Sequence, residues 1–267
     1  MNRFGKAVVH AGLAGMLAIL ATSCATVPET GRRQLNLMSS GEEMQLGFSA
    51  FEEIKANTPR STDRAAQAMV EQVGQRISSV ANLPGAQWEF ILFESEEPNA
   101  FCLPGGKVGV YTGILPITQD EAGLATVMSH EVAHAVARHG AERISEAMLV
   151  QLGAGALAIG LHEEDATTAA LIFAAYGIGT TVGRSLPHSR KQESEADYIG
   201  LLYMARSGYN PEAALGFWQR FAAYNDAKGG SPVWFLSTHP LDKKRIEQIR
   251  KWLPEATREY EKHSAHP

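Results

Sequence analysis

The sequence predicts an α+β fold, mainly helical, in which the helix carrying His130-Glu131-Val132-Ala133-His134 packs against a small, mostly antiparallel sheet. Three observations point to it. Apolar residues recur at helical spacing in several separate segments, three short runs between Trp88 and Tyr111 are rich in aromatic and β-branched residues, and Gly, Pro and Asn punctuate the boundaries. With 267 residues, 45% hydrophobic and 20% charged, the chain is ordinary globular material, long enough to bury a core without disulfide staples.

At the N-terminus, Arg3 and Lys6 precede an apolar stretch, Ala7 to Ala21, that is short for a bilayer span. It ends in Ala21-Thr22-Ser23-Cys24, which resembles a bacterial lipobox with Ala in place of the usual first Leu. Residues 1–23 are therefore read as a signal peptide and Cys24 as the site of lipidation, anchoring the mature chain to a membrane. Ala25 rather than Asp follows, which by resemblance to lipoprotein sorting signals favours the bacterial outer membrane, facing the periplasm. Residues 24–38, with Pro28, Gly31, Arg32, Arg33 and Asn36 and no sustained apolar period, are expected to form a linker to the lipid. Residues 39–267 are expected to form one domain. Cys102, left without an intrachain partner, is expected to be buried and inert. The net charge of -5 gives no reason to expect nucleic acid, and no fixed-period repeat suggests a solenoid.

Ser40 and Glu43 read as a capping box for a helix with Met44, Phe48, Phe51 and Ile54 on one face. A second helix is expected from about Asp63 to Val80, broken at Asn82 and Pro84-Gly85. Trp88 to Phe93, Ala100 to Leu103 and the segment after Pro104-Gly105-Gly106 read as short antiparallel strands. Thr118 and Glu121 suggest the cap of a helix running toward His139. Two apolar stretches, 147–161 and 166–186, are rich in Gly, Ala and Thr and read as a buried or cleft-covering helical hairpin rather than membrane spans. Helical spacing returns from Gln192 to Arg206, after Asn210-Pro211-Glu212, and from Leu241 to Trp252 before Pro254.

The chemistry lies in the pattern His-Glu-x-x-His at His130, Glu131 and His134. Residues four apart on a helix lie one above the other, so both imidazoles converge on one cation. Glu131 lies on the flank, where its carboxylate reaches a metal-bound water without filling the coordination sphere. A catalytic zinc needs a third protein ligand and an open position. Ala137 and Gly140 stand where the metzincin pattern requires Gly and His, so the third ligand comes from further along the chain. Glu193-Ser194-Glu195-Ala196-Asp197 is the strongest source: Glu193 and Asp197 share a helical face, and Glu195 points almost oppositely. Spacing leaves Glu193, Glu195 and His188 open.

Together, the two zinc segments resemble the gluzincin zinc metallopeptidases of HtpX, the CAAX prenyl endopeptidases and the Oma-type proteases (peptidase family M-48), in their periplasmic lipoprotein branch. The likeness extends to Asn99-Ala100-Phe101, Pro104-Gly105-Gly106, Thr112-Gly113, Thr238-His239-Pro240 and Arg245-Ile246, and covers roughly 40–252. It implies one Zn2+ per chain on His130, His134 and Glu193, with Asp197 orienting a ligating histidine and Glu195 a bystander. It also implies Glu131 as general base and His239 as either an oxyanion donor or an occupant of the open metal position. Arg245 is a candidate ion-pair partner.

The expected activity is endopeptidase cleavage of unfolded or damaged envelope proteins, in quality control. Extended polypeptides would align along the free edge of Lys107, Val108, Gly109, Val110 and Tyr111. A zinc-holding, chaperone-like lipoprotein and a cell-wall peptide hydrolase are the alternatives; oligomeric state is not legible.

Overall fold

The computed structural model describes residues 24–155, 189–228, 234–240 and 243–264. Strands β1 (Cys24–Thr26) and β2 (Arg33–Leu35) pair antiparallel as a hairpin. The expectation of a plain tether over 24–38 is corrected here. Val27 is fully buried in the main core, Gln34 Nε2 donates to Ala137 O at 2.7 Å, and Arg32 reaches Glu142 and Glu195 at 2.6 Å each. A composition of turn residues and charges conceals this, because most of the contacts are polar and non-local.

Helix α1 (Ser40–Asn57) is capped by Ser39 in a capping box with Glu42, one residue ahead of the pair expected from the sequence. Glu43 is instead buried and accepts from Arg138 Nε at 2.6 Å. Asp63 caps α2 (Arg64–Ser78) by accepting from Ala66 N. Strands β3 (Glu89–Phe93), β4 (Ala100–Leu103) and β5 (Lys107–Tyr111) form a sheet of order β3-β5-β4, with β5 antiparallel to β4 and parallel to β3. The turn at Gly105 and Gly106, both at positive φ, feeds β5 into the centre of the sheet.

That order overturns the expected free edge: Lys107, Val108, Gly109 and Val110 are paired on both sides, and Tyr111 pairs with Phe93 while its amide donates to Asn99 O at 2.9 Å. Among the described residues the outer edge of β4 has no strand partner. Along β4 the side chains alternate, Ala100 and Cys102 entering the main core and Phe101 and Leu103 a second cluster with Phe51, Ile54 and Phe93. Cys102 is buried and free, and burial pushes its thiol pKa far up.

After the short α3 (Leu115–Thr118), Asp120 rather than Thr118 caps α4 (Glu121–Val136) by accepting from Gly123 N at 2.8 Å. α4 is buried from Gly123 to its end, between β4, α2 and later helices. It stops sooner than its apolar pattern suggests: Arg138 adopts φ +55°, and α5 (His139–Gly155) starts in a new direction. The apolar stretches beyond residue 155, and His188, lie outside the described residues.

Ser189 and Gln192 make the capping box of α6 (Arg190–Arg206), which packs along α4. Gly200 permits that approach, since a Cβ there would stand 3.2 Å from His130 N. α7 (Ala213–Ala227), α8 (Trp234–Thr238) and α9 (Lys243–Ser264) complete the described chain. α9 continues through Pro254, where the sequence predicts an end. Ile246, Ile249, Trp252, Leu253 and Ala256 bury its apolar face, and that packing offsets the missing amide bond. Among the described residues no helix is long and apolar enough to cross a membrane.

Arg32 holds the Glu142 carboxyl below its ordinary value against burial, which pushes it up; Gln192 Nε2 adds a donor at 2.7 Å. A lowered folded pKa contributes stability that is present above the unfolded value of 4.5 and lost as pH falls through the folded one. Glu142→Gln is expected to melt at a lower temperature than the native chain at pH 7, with the gap narrowing below pH 4.5 in paired thermal melts.

Candidate metal centre

Two helices and one turn bring the predicted residues together. α4 presents His130 and His134 on one face, α6 presents Glu193 and Asp197, and the α8–α9 turn supplies His239, whose amide donates to Phe235 O at 2.8 Å. His130 Nε2 and His134 Nε2 are 3.1 Å apart. Glu193 Oε1 lies 3.3 Å from His134 Nε2 and 3.0 Å from His239 Nδ1. One ligand atom each from His130, His134, Glu193 and His239 falls within 4.8 Å of the others, and all four residues are buried.

Glu131 stands on the flank as the helix geometry predicts, its Oε1 3.6 Å from His239 Nε2, buried and without a hydrogen-bond partner among the described residues. This donor set fits zinc. It combines imidazole and carboxylate in the nitrogen-and-oxygen pattern of a catalytic site, with an unbonded carboxylate oxygen beside it. Glu131, Glu193 and Asp197 are buried together, and the Arg245 guanidinium pairs with Glu193 and Asp197.

The electrostatics sort the roles. Burial pushes Glu131 up, and the neighbouring His239 and His130 only partly offset it. Burial also pushes Glu193 up, but His239 and Arg245, with hydrogen bonds from His130 and His134, hold it well below the carboxylate range. His134 is driven well below the imidazole value by burial, in spite of Glu193. For His130, burial acts downward, yet Asp197 and Glu193 outweigh it and hold the ring at about 9.

Outer partners fix the rings. His130 Nδ1 lies 3.1 Å from Asp197 Oδ1, and Arg245 grips Asp197 with Nε at 2.5 Å and Nη2 at 2.9 Å. Arg245 thus takes the ion-pair role expected of it, and its Nη1 also reaches Glu193 Oε2 at 2.8 Å. Its guanidinium carbon sits 4.1 Å from the centre of the Trp218 ring, which meets His130 edge-on at 5.5 Å. Phe235 stacks on His239 at 4.5 Å.

Two residues escaped sequence reasoning. His139 Nδ1 is 2.8 Å from His134 Nδ1, and His139 Nε2 is 2.9 Å from Glu195 Oε2. Glu195 does point away from Glu193, as its spacing requires, but into this buried contact rather than to solvent, so it is no bystander. The break at Arg138 is what turns His139 back onto α4, and nothing in the apolar pattern marks it. Trp218 was likewise silent in the sequence.

Asp197→Asn is expected to weaken zinc binding about 10- to 100-fold in chelator competition, because the acceptor facing His130 Nδ1 loses its charge.

A model of Peptidase family M48 matches residues 64–253. The chain is 38% identical over 233 residues to the mitochondrial metalloendopeptidase OMA1 of Schizosaccharomyces pombe, covering 86% of this chain and 66% of that one. Identity to the protein of the same name from Saccharomyces cerevisiae is 41% over 184 residues, covering 67% and 51%. To the beta-barrel assembly-enhancing protease of Escherichia coli it is 30% over 239 residues, covering 86% and 47%. The chain thus spans about half to two-thirds of the length of these relatives.

Proposed function

This chain belongs to peptidase family M48, and from that premise we propose that it is a zinc-dependent endopeptidase that cuts extended segments of unfolded or damaged envelope proteins. The observation that carries the reading is the convergence of His130, His134 and Glu193 with Glu131 beside them. Zinc held by those three residues would supply Lewis acidity, acidifying water and polarising a scissile carbonyl.

The remaining work belongs to the chain's own groups. Glu131, with its pKa raised by burial, takes a proton from water and delivers it to the departing amine. Asp197 and Arg245 hold His130, and Glu193 stays ionised.

The lipobox-like Ala21-Thr22-Ser23-Cys24 supports lipidation at Cys24 and an outer-membrane address facing the periplasm. Similarity to an enzyme named for β-barrel assembly supports an envelope setting. Because Cys24 opens β1, such an anchor would hold the body close to the lipid surface.

A second reading has an observation of its own. His239 Nδ1 sits among the ligand atoms, 3.3 Å from His130 Nε2, so it can close the site and leave a zinc-holding protein with latent activity. Two variants separate these roles. Glu131→Gln is expected to keep zinc while casein cleavage falls at least about a thousandfold; activity surviving that change removes Glu131 as the base. His239→Ala is expected to raise cleavage if His239 blocks the site, and to lower kcat by about 10²- to 10³-fold if it stabilises the oxyanion. Cleavage of peptidoglycan fragments but not of unfolded proteins would transfer the chain to cell-wall hydrolysis.

A further inference from the structure

We infer that the N-terminal hairpin sets the tautomer of zinc ligand His134, through a relay of Arg32 and Thr30, Glu195 and His139. The relay starts outside the catalytic helices. Arg32 Nε donates to Glu195 Oε2 at 2.6 Å, Thr30 Oγ1 donates to Glu195 Oε1, and the other end of the Arg32 guanidinium grips Glu142 at 2.6 and 2.8 Å. Gln34, two residues on, accepts from Arg32 Nη2 at 2.9 Å and anchors the strand to Ala137 O. Two of the donors to Glu195 thus come from the loop joining β1 and β2.

Proton placement then follows from valence. A carboxylate paired with a guanidinium accepts and does not donate, so the proton between Glu195 and His139 must sit on His139 Nε2. In a neutral imidazole that leaves a lone pair on Nδ1. His134 Nδ1, 2.8 Å away, is therefore the donor of the next bond, and its proton is committed there. His134 Nε2 is left as a lone pair facing His130 Nε2 and Glu193 Oε1, the atom a cation requires. His130 is oriented through Asp197 on α6, so the two histidine ligands have separate supports, and one of them originates at the N-terminal end of the domain.

His139, Glu195, Arg32 and Thr30 are positioning residues, acting on the metal only through His134. The inference rests on the zinc-site reading above. Glu195→Gln is the sharpest test: Oε2 accepts from both Arg32 Nε and His139 Nε2, so the amide keeps its oxygen there, and a neutral acceptor holds the His139 Nε2 proton less firmly than the carboxylate. The measurement is the zinc dissociation constant of the full chain by chelator competition, beside the melting temperature of the zinc-free protein. E195Q and H139A are expected to bind zinc about 10- to 100-fold more weakly than the native chain. Glu29→Gln, which breaks the 3.1 Å pair with Arg206, is the control: it should lower the melting temperature and leave zinc affinity unchanged.

Zinc affinity within about twofold of native in E195Q and H139A overturns the relay, whatever happens to stability. Should either fail to fold, R32Q, which lies two contacts from the histidine, decides by the same criterion. A native chain that takes up no zinc would instead sink the metallopeptidase reading itself, so the two failures are distinguishable.

Discussion

Everything at the centre of this molecule is constrained by the burial of charge. Glu131, Glu193 and Asp197 are removed from water together with three imidazoles, and isolated carboxylates are costly in such surroundings. Arg245 is the permanent counter-charge: one guanidinium spans Asp197 and Glu193 while its face rests on Trp218. His239 and Arg245 hold Glu193 ionised against burial, while burial pushes Glu131 toward its neutral form.

The folding of the helices serves that arrangement. α4 is buried along nearly its whole length, so its two imidazoles cannot point to bulk water, and Gly200 lets α6 come near enough for Glu193 to meet them. The sheet, α2 and α7 close the other sides. His239 and Arg245 arrive from the far end of the chain, and Phe235 stacks on one while Trp218 stacks on the other. Substitution of Phe235 therefore acts on the site through packing on His239, and that of Trp218 through its packing on His130 and its cation–π contact with Arg245.

The N-terminal hairpin changes the view of the domain boundary. Its polar contacts reach α5 and α6 beside the metal ligands, so residues 24–38 pack as part of the body that holds the site. A purely apolar count misses it, because Val27 is its one fully buried apolar side chain among those described. Charge pairs make the attachment, and their partners lie more than a hundred residues away.

The sequence by itself determined the local chemistry: His130, Glu131 and His134 on one helix, Glu193 and Asp197 sharing a face of another, caps within a residue or two, and the three strands between Glu89 and Tyr111. Helical periodicity and capping are short-range, so they can be read from neighbours in the chain. The choice among Glu193, Glu195 and His188 came from resemblance rather than spacing. Only the tertiary structure decided that β5 is central, that α9 passes through Pro254, that Arg138 ends the metal-binding helix, and that Glu195 and Arg32 stand behind His134. Strand order, a packed proline and a buried ion pair each depend on partners distant in sequence, and no local pattern encodes which partner will arrive.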